Sequence, residues 1–176
     1  MSSSETKSQN SLGFLTVVDN GDAGCVGGYL ILNMGGRPLE FHCTAPVRAN
    51  RAQQILYGES LTPFVYGELI ARALIDKAAI KPTVVFADQS ETLCVQGLTQ
   101  LPVVLLAERS VGTLRQTARH QFEVEGFKLE LAMQFEAQSE TLSRYVRRFV
   151  ETIELDEPFS RIRDAIDEAQ RGARAA

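Results

Sequence analysis

The 176-residue chain has no tryptophan, only two histidines and only three cysteines, and each scarcity closes off a class of function. With tryptophan absent and aromatics at 7 %, few residues remain to build stacking platforms for nucleobases. His42 and His120 lie far apart, and Cys25, Cys43 and Cys94 show none of the close pair spacing of a structural zinc site. No metal centre is therefore expected. An odd number of cysteines, each in an apolar strand-like run, suits reduced, buried thiols in a cytoplasm and not a disulfide framework. Basic residues are the minority as well, 18 against 22 acidic ones, and the net charge of −4 argues against a broad nucleic-acid surface. No apolar run approaches the roughly 18 residues of a membrane span. The N-terminus lacks the apolar core of a secretory signal. The glycines from Gly21 to Gly28 match no phosphate-binding loop, because a strand follows them where such a loop would open a helix. No cofactor is expected.

What is present is material for a core: 44 % of the residues are hydrophobic and 23 % charged. The length fits one domain. Its expected limits are 12–171, with a polar, disordered tail over 1–11 and a frayed end over 172–176.

The organising stretch is Val26 to Thr44, which reads as a hairpin. Its first arm is apolar on both faces and belongs in the middle of a sheet. Its second arm has a period of two, with Leu39, Phe41 and Cys43 on one face and Glu40, His42 and Thr44 on the other. A short strand, Gly13 to Asp19, precedes it and stops at the turn signal Asn20-Gly21. Gly27 and Gly28 mark a bulge or a close approach.

After the corner at Ala45–Ala49, Asn50 with Gln53 three residues on has capping-box spacing for a helix over Arg51–Tyr57. A second helix is expected from Thr62 as N-cap and Pro63, with a stripe of Phe64, Leu69, Ile70, Ala73 and Leu74. Thr83–Ala87, Thr92–Gly97 and Pro102–Ala107 read as strands. Residues 108–119 fit a loop or a short helix. Phe127–Phe135 alternates over its whole length, as a long half-exposed strand with an edge free for pairing would. Two helices close the chain, one capped by Ser139 with the stripe Leu142, Tyr145, Val146, Phe149, Val150 and Ile153, the other starting near Asp156.

This order predicts an α+β fold: a single domain with a mostly antiparallel sheet packed by helices, two of them C-terminal. The hairpin should be central in that sheet. The element order is similar to that of small longin-like or roadblock-like binding modules, an analogy of order alone.

One place gathers chemistry. Glu40 and His42 share a strand face, and Arg48 and Arg51 follow near a helix N-terminus with Asn50, Gln54 and Tyr57. Arg48 and Arg51 could hold an anion, Glu40, Asn50, Gln54 and Tyr57 could line its site, and His42 could act as acid or base. Cys43 points away from His42 and is not its nucleophile. No nucleophile–base pair, metal set or cofactor loop emerges. The expected function is thus a non-enzymatic protein-binding or assembly module that self-associates. The alternative is a hydrolase or lyase acting on an anionic small molecule at this corner.

Overall fold

The computed structural model describes residues 10–107 and 119–175. Residues 108–118, expected as a loop or short helix, lie outside that description. Seven strands form one sheet: β1 (Ser11–Asp19), β2 (Cys25–Asn33), β3 (Pro38–Cys43), β4 (Val84–Ala87), β5 (Val103–Leu106), β6 (Arg119–Val124) and β7 (Phe127–Ala132). Among the described residues their order is β3-β2-β1-β4-β5-β7-β6. Both β1–β4 and β4–β5 are parallel pairs, and the other four pairings are antiparallel. The α+β architecture with a mostly antiparallel sheet is as the sequence predicts.

The hairpin is not central. β4 is the middle strand, β2 is interior but second from the end, and β3 is the edge. Buried apolar residues on both faces of β2 require one helix layer above the sheet and another below it, and both are present. That pattern says nothing about how many strands lie beyond. The long alternating strand is corrected too. β7 stops at Ala132, and residues Met133–Gln138 wind as a 3-10 turn. It also has no free edge, because β5 and β6 flank it. A two-residue turn joins β6 to β7, with Glu125 and Gly126 both at positive φ, 51° and 82°.

Helices cover both faces. On one side lie α1 (Arg51–Tyr57) and a continuous helical run over 61–77, here α2. Ser60, not Thr62, precedes its first turn. Its middle eight residues, Phe64–Ala71, form a π-helix. This wider winding explains why the expected stripe shifts. Val65 and Tyr66 are followed on the buried face by Ile70 and Ala71, five residues on, then by Leu74 and Ile75, while Ala73 is exposed. Thr92–Gly97, expected as a strand, lies within a 3-10 segment, Ser90–Leu98, packed beside this π-helix. Gly67 makes that approach possible: a Cβ there would stand 1.9 Å from Cys94 Sγ. Cys94 is exposed, and Cys25 and Cys43 are half-buried, so the expectation of three buried thiols fails, most clearly at Cys94.

On the other side lie α3 (Ser139–Val150) and α4 (Glu157–Ala175). The stripe of α3 packs inward as expected, though Gln138 and not Ser139 is its N-cap. Phe14 of β1 stands at the centre of this layer, with ring centroids 5.4 Å from Phe86, 5.5 Å from Phe149 and 5.6 Å from Phe159. Among the described residues no helix is long and apolar enough to cross a membrane.

Candidate functional site

The capping box at Asn50 is formed. Its Oδ1 accepts from Gln53 N at 2.8 Å, and Gln53 Oε1 accepts from Asn50 N at 2.9 Å. The helix so started, α1, has no buried residue. Arg51 donates to Gln54 Oε1 at 3.5 Å, and Tyr57 stacks on Phe64 with centroids 4.0 Å apart.

Glu40 and His42 do meet, with His42 Nε2 2.5 Å from Glu40 Oε1. The Glu40 carboxylate also accepts from Ala79 N and Ile80 N, both at 2.9 Å, and so ties the end of α2 to the edge strand. Partial burial pushes its pKa up. The bonds from His42, Ile80 and Ala79 outweigh this and hold it below the usual carboxylate range. Cys43 packs into the opposite core, as strand alternation requires. Leu39 breaks that alternation: a register shift between Ile31 and Leu32 turns it toward the α2 side.

Arg48 and Gln54 lie elsewhere, in a cavity of about 400 Å³ with Asp19, Asp22, Cys25, Thr62 and Tyr66. The corner is tied to the start of β2 by Cys25 N to Val47 O at 2.9 Å and Val47 N to Cys25 O at 2.8 Å. The seven expected site residues therefore fall into three groups. Glu40 with His42 brace the edge strand and Asn50, Arg51 and Tyr57 belong to the exposed helix, while only Arg48 and Gln54 line this cavity. In the cavity, burial and then the nearby Asp19 charge push the Cys25 thiol up, so it is a poor thiolate.

A second polar corner sits where β4 ends beside its parallel neighbour β1. Leu15 pairs with Ala87, so Thr16 and Asp88 come next on neighbouring strands, on the face covered by α4. Asp88 is 2 % exposed. Its Oδ2 is ion-paired with Arg163 of α4, whose side chain is 38 % exposed. The same guanidinium nitrogen reaches Thr16 Oγ1 at 3.4 Å. Asp88 Oδ1 is buried with no hydrogen-bond partner. Burial pushes the Asp88 carboxyl up, and Arg163 and Thr16 pull it back without cancelling the shift. Next along the chain, Gln89 binds the backbone of Val17, with Oε1 accepting from N at 2.8 Å and Nε2 donating to O at 2.9 Å.

The carboxyl ends of neighbouring parallel strands are where open sheets place their ligands. This end of the sheet therefore carries a buried carboxylate, a guanidinium that reaches solvent, a hydroxyl and, beyond Asp19, the Arg48 cavity. None of Asp88, Gln89 and Arg163 is among the expected site residues: the first two directly follow the strand expected over Thr83–Ala87, and Arg163 lies in the last expected helix. The available signal was a polar pair directly after a wholly apolar four-residue strand.

The fold is similar to that of human ENDOV. The TM-score is 0.52 at 14 % identity, over 95 % of this chain and 86 % of that one. Weaker likenesses include an endonuclease V from Ciona intestinalis solved with a DNA 23mer containing an inosine followed by a ribo-adenosine, at TM-score 0.39 and 11 % identity over 82 % of this chain and 87 % of that one. Another is the Marinitoga piezophila Argonaute with guide RNA and target DNA, at TM-score 0.32 and 10 % identity over 78 % and 25 %. No protein-family model matches the chain, and neither does any curated protein.

The likeness to human ENDOV and the geometry of the site together correct three expectations. The fold is one that an endonuclease uses, in place of a non-enzymatic, self-associating protein-binding module with longin-like or roadblock-like order. The small-molecule hydrolase or lyase reading loses its site, because the residues expected to form it divide among three places. The expected absence of a nucleic-acid surface falls with the first. Net charge averages over the whole chain and is silent about one corner of the sheet.

Proposed function

We propose that this protein is an enzyme acting on nucleic acid at the carboxyl-terminal ends of β1 and β4. The observation that carries the reading is the Asp88–Arg163 pair at this position of the sheet, in a fold shared with human ENDOV over 95 % of the chain. A buried carboxylate is costly unless it is paired, and nothing in core packing calls for one here. Arg163 presents a guanidinium to solvent beside it, suited to a backbone phosphate. The Arg48 cavity lies near the same end of β1 and has the volume of a small-ligand site. Its mixture of donors and acceptors at Arg48, Gln54, Thr62 and Tyr66 suits a nucleotide drawn out of its stack.

The test is fluorescence anisotropy and gel cleavage with labelled single- and double-stranded DNA and RNA oligonucleotides. Binding is expected, weakened about tenfold by Arg48→Ala, as one lost charge-assisted contact implies. Conversion of the strand should fall in Asp88→Asn while binding persists. An absence of binding to every oligonucleotide at about 100 µM protein, the weak end of non-specific association, would remove the reading.

A further inference from the structure

Many nucleases hold divalent cations in clustered oxygen ligands, which position and polarise the phosphate. The residues here do not fit such a group. Among the described residues no three of His, Cys, Asp and Glu converge on a point. Beside the end of β4 one carboxylate faces α4, Asp88, and its neighbour on β1 is Thr16, a neutral hydroxyl, while Asp19 at the end of β1 lines the Arg48 cavity. The amide of Gln89 is committed to Val17 at both ends. Asp88 Oδ1 has no partner and by itself would invite a cation. A cation seated there, however, would lie against the guanidinium that already holds Oδ2 and reaches Thr16. Two positive groups would then share one carboxylate, with no second anion to separate them.

We infer that Arg163 fills, beside Asp88, the place a divalent cation would take, so that this corner engages a phosphate group without a bridging metal ion. The inference rests on the proposed nucleic-acid role for its ligand and on the donor set alone for its metal independence. Arg163 is suited to the part. It is charged at every accessible pH, its planar fork can bind Asp88 with one nitrogen and offer others outward, and over a third of its side chain is in water.

Two measurements on the full chain test it. In the first, Mn²⁺ and Mg²⁺ are titrated calorimetrically into the protein without oligonucleotide. No saturable binding is expected up to about 1 mM, the weak end of oxygen-ligand sites. Stoichiometric Mn²⁺ binding that Asp88→Asn abolishes would overturn the inference whatever the substrate is. In the second, oligonucleotide anisotropy is compared in EDTA and in Mg²⁺. Affinities within about twofold at matched ionic strength are expected, and binding only in Mg²⁺ would overturn the inference while leaving the nucleic-acid reading in place.

Arg163→Ala should weaken oligonucleotide binding, and Arg163→Lys, which keeps the charge and is the control for folding, should restore part of it. Lys failing to restore any binding, with both variants melting cooperatively, would count against the guanidinium's role. If no oligonucleotide binds and no Mn²⁺ binds, the proposed function falls and the metal independence of the corner stands.

Discussion

The side-chain amide of Gln89 pairs with the backbone of Val17 as another strand residue would, accepting from its N–H at 2.8 Å and donating to its carbonyl at 2.9 Å. β4 ends at Ala87, two residues short of that level of β1. The amide extends the ladder by one rung and lets the chain turn away into Ser90–Leu98. Val17 is buried, and without Gln89 that side of it would be left with an unsatisfied donor and acceptor. Gln89→Ala is expected to lower stability by about 1–3 kcal/mol, read as a shift in urea midpoint without a change in slope. Gln89→Glu should be worse, because it sets a carboxylate against the Val17 carbonyl. An unchanged midpoint in both variants would mean that water replaces the amide.

Gly27 and Gly28 let two helix layers close on β2 at one level. A Cβ on Gly27 would stand 2.0 Å from Ile70 Cγ2 of α2, and one on Gly28 2.2 Å from Ile162 Cγ2 of α4. Gly28→Ala should therefore overpack the α4 side by about 1–3 kcal/mol. With Ile162→Ala in the same chain the cost should be well below the sum of the two single changes, since each relieves the other. Additive losses in that cycle would place the strain elsewhere.

Glu40 gives stability a pH dependence of known sign. Its pKa is lowered on folding from the ordinary 4.5, by the bonds from His42, Ile80 and Ala79 acting against burial. The stabilisation is complete above the unfolded value and is lost as pH falls through the lower, folded value. Glu40→Gln should cost about 1–2 kcal/mol at pH 7 and progressively less below pH 4.5. Denaturant melts of both proteins from pH 7 to 3 check this, and a gap that widened toward pH 3 would reverse the assignment.

The exposed helix α1 depends on its cap. No residue of α1 is buried, so the Asn50–Gln53 box contributes an unusual share of its stability. Asn50→Ala should cost the helix about 1 kcal/mol and raise amide exchange over 51–57 about fivefold, with little change in global melting. Because Gln54 lines the Arg48 cavity, a fall in oligonucleotide affinity should accompany the faster exchange. Unaltered exchange would show that packing against α2, not the cap, holds the helix.

What the sequence determined by itself is local. The capping box at Asn50, the alternation that parts His42 from Cys43 and the stripe of α3 all follow from spacings of one to four residues. Neighbours along the chain set their geometry whatever the fold. The α+β class follows from their order. Strand order does not. β1 reaches its parallel partner β4 only after a hairpin and two helices, and the periodicity of β1 is the same whichever strand lies beside it. The π-helix of α2 is likewise set by packing, as Gly67 yields to Cys94 and the buried face slips by one residue. The Asp88 corner is the furthest from legibility. Thr16, Asp88 and Arg163 come from three elements, separated by up to 147 positions, and none has a motif around it. Only the closing of α4 over β1 and the end of β4 gives the buried carboxylate its counter-charge, and so makes one site of three unremarkable residues.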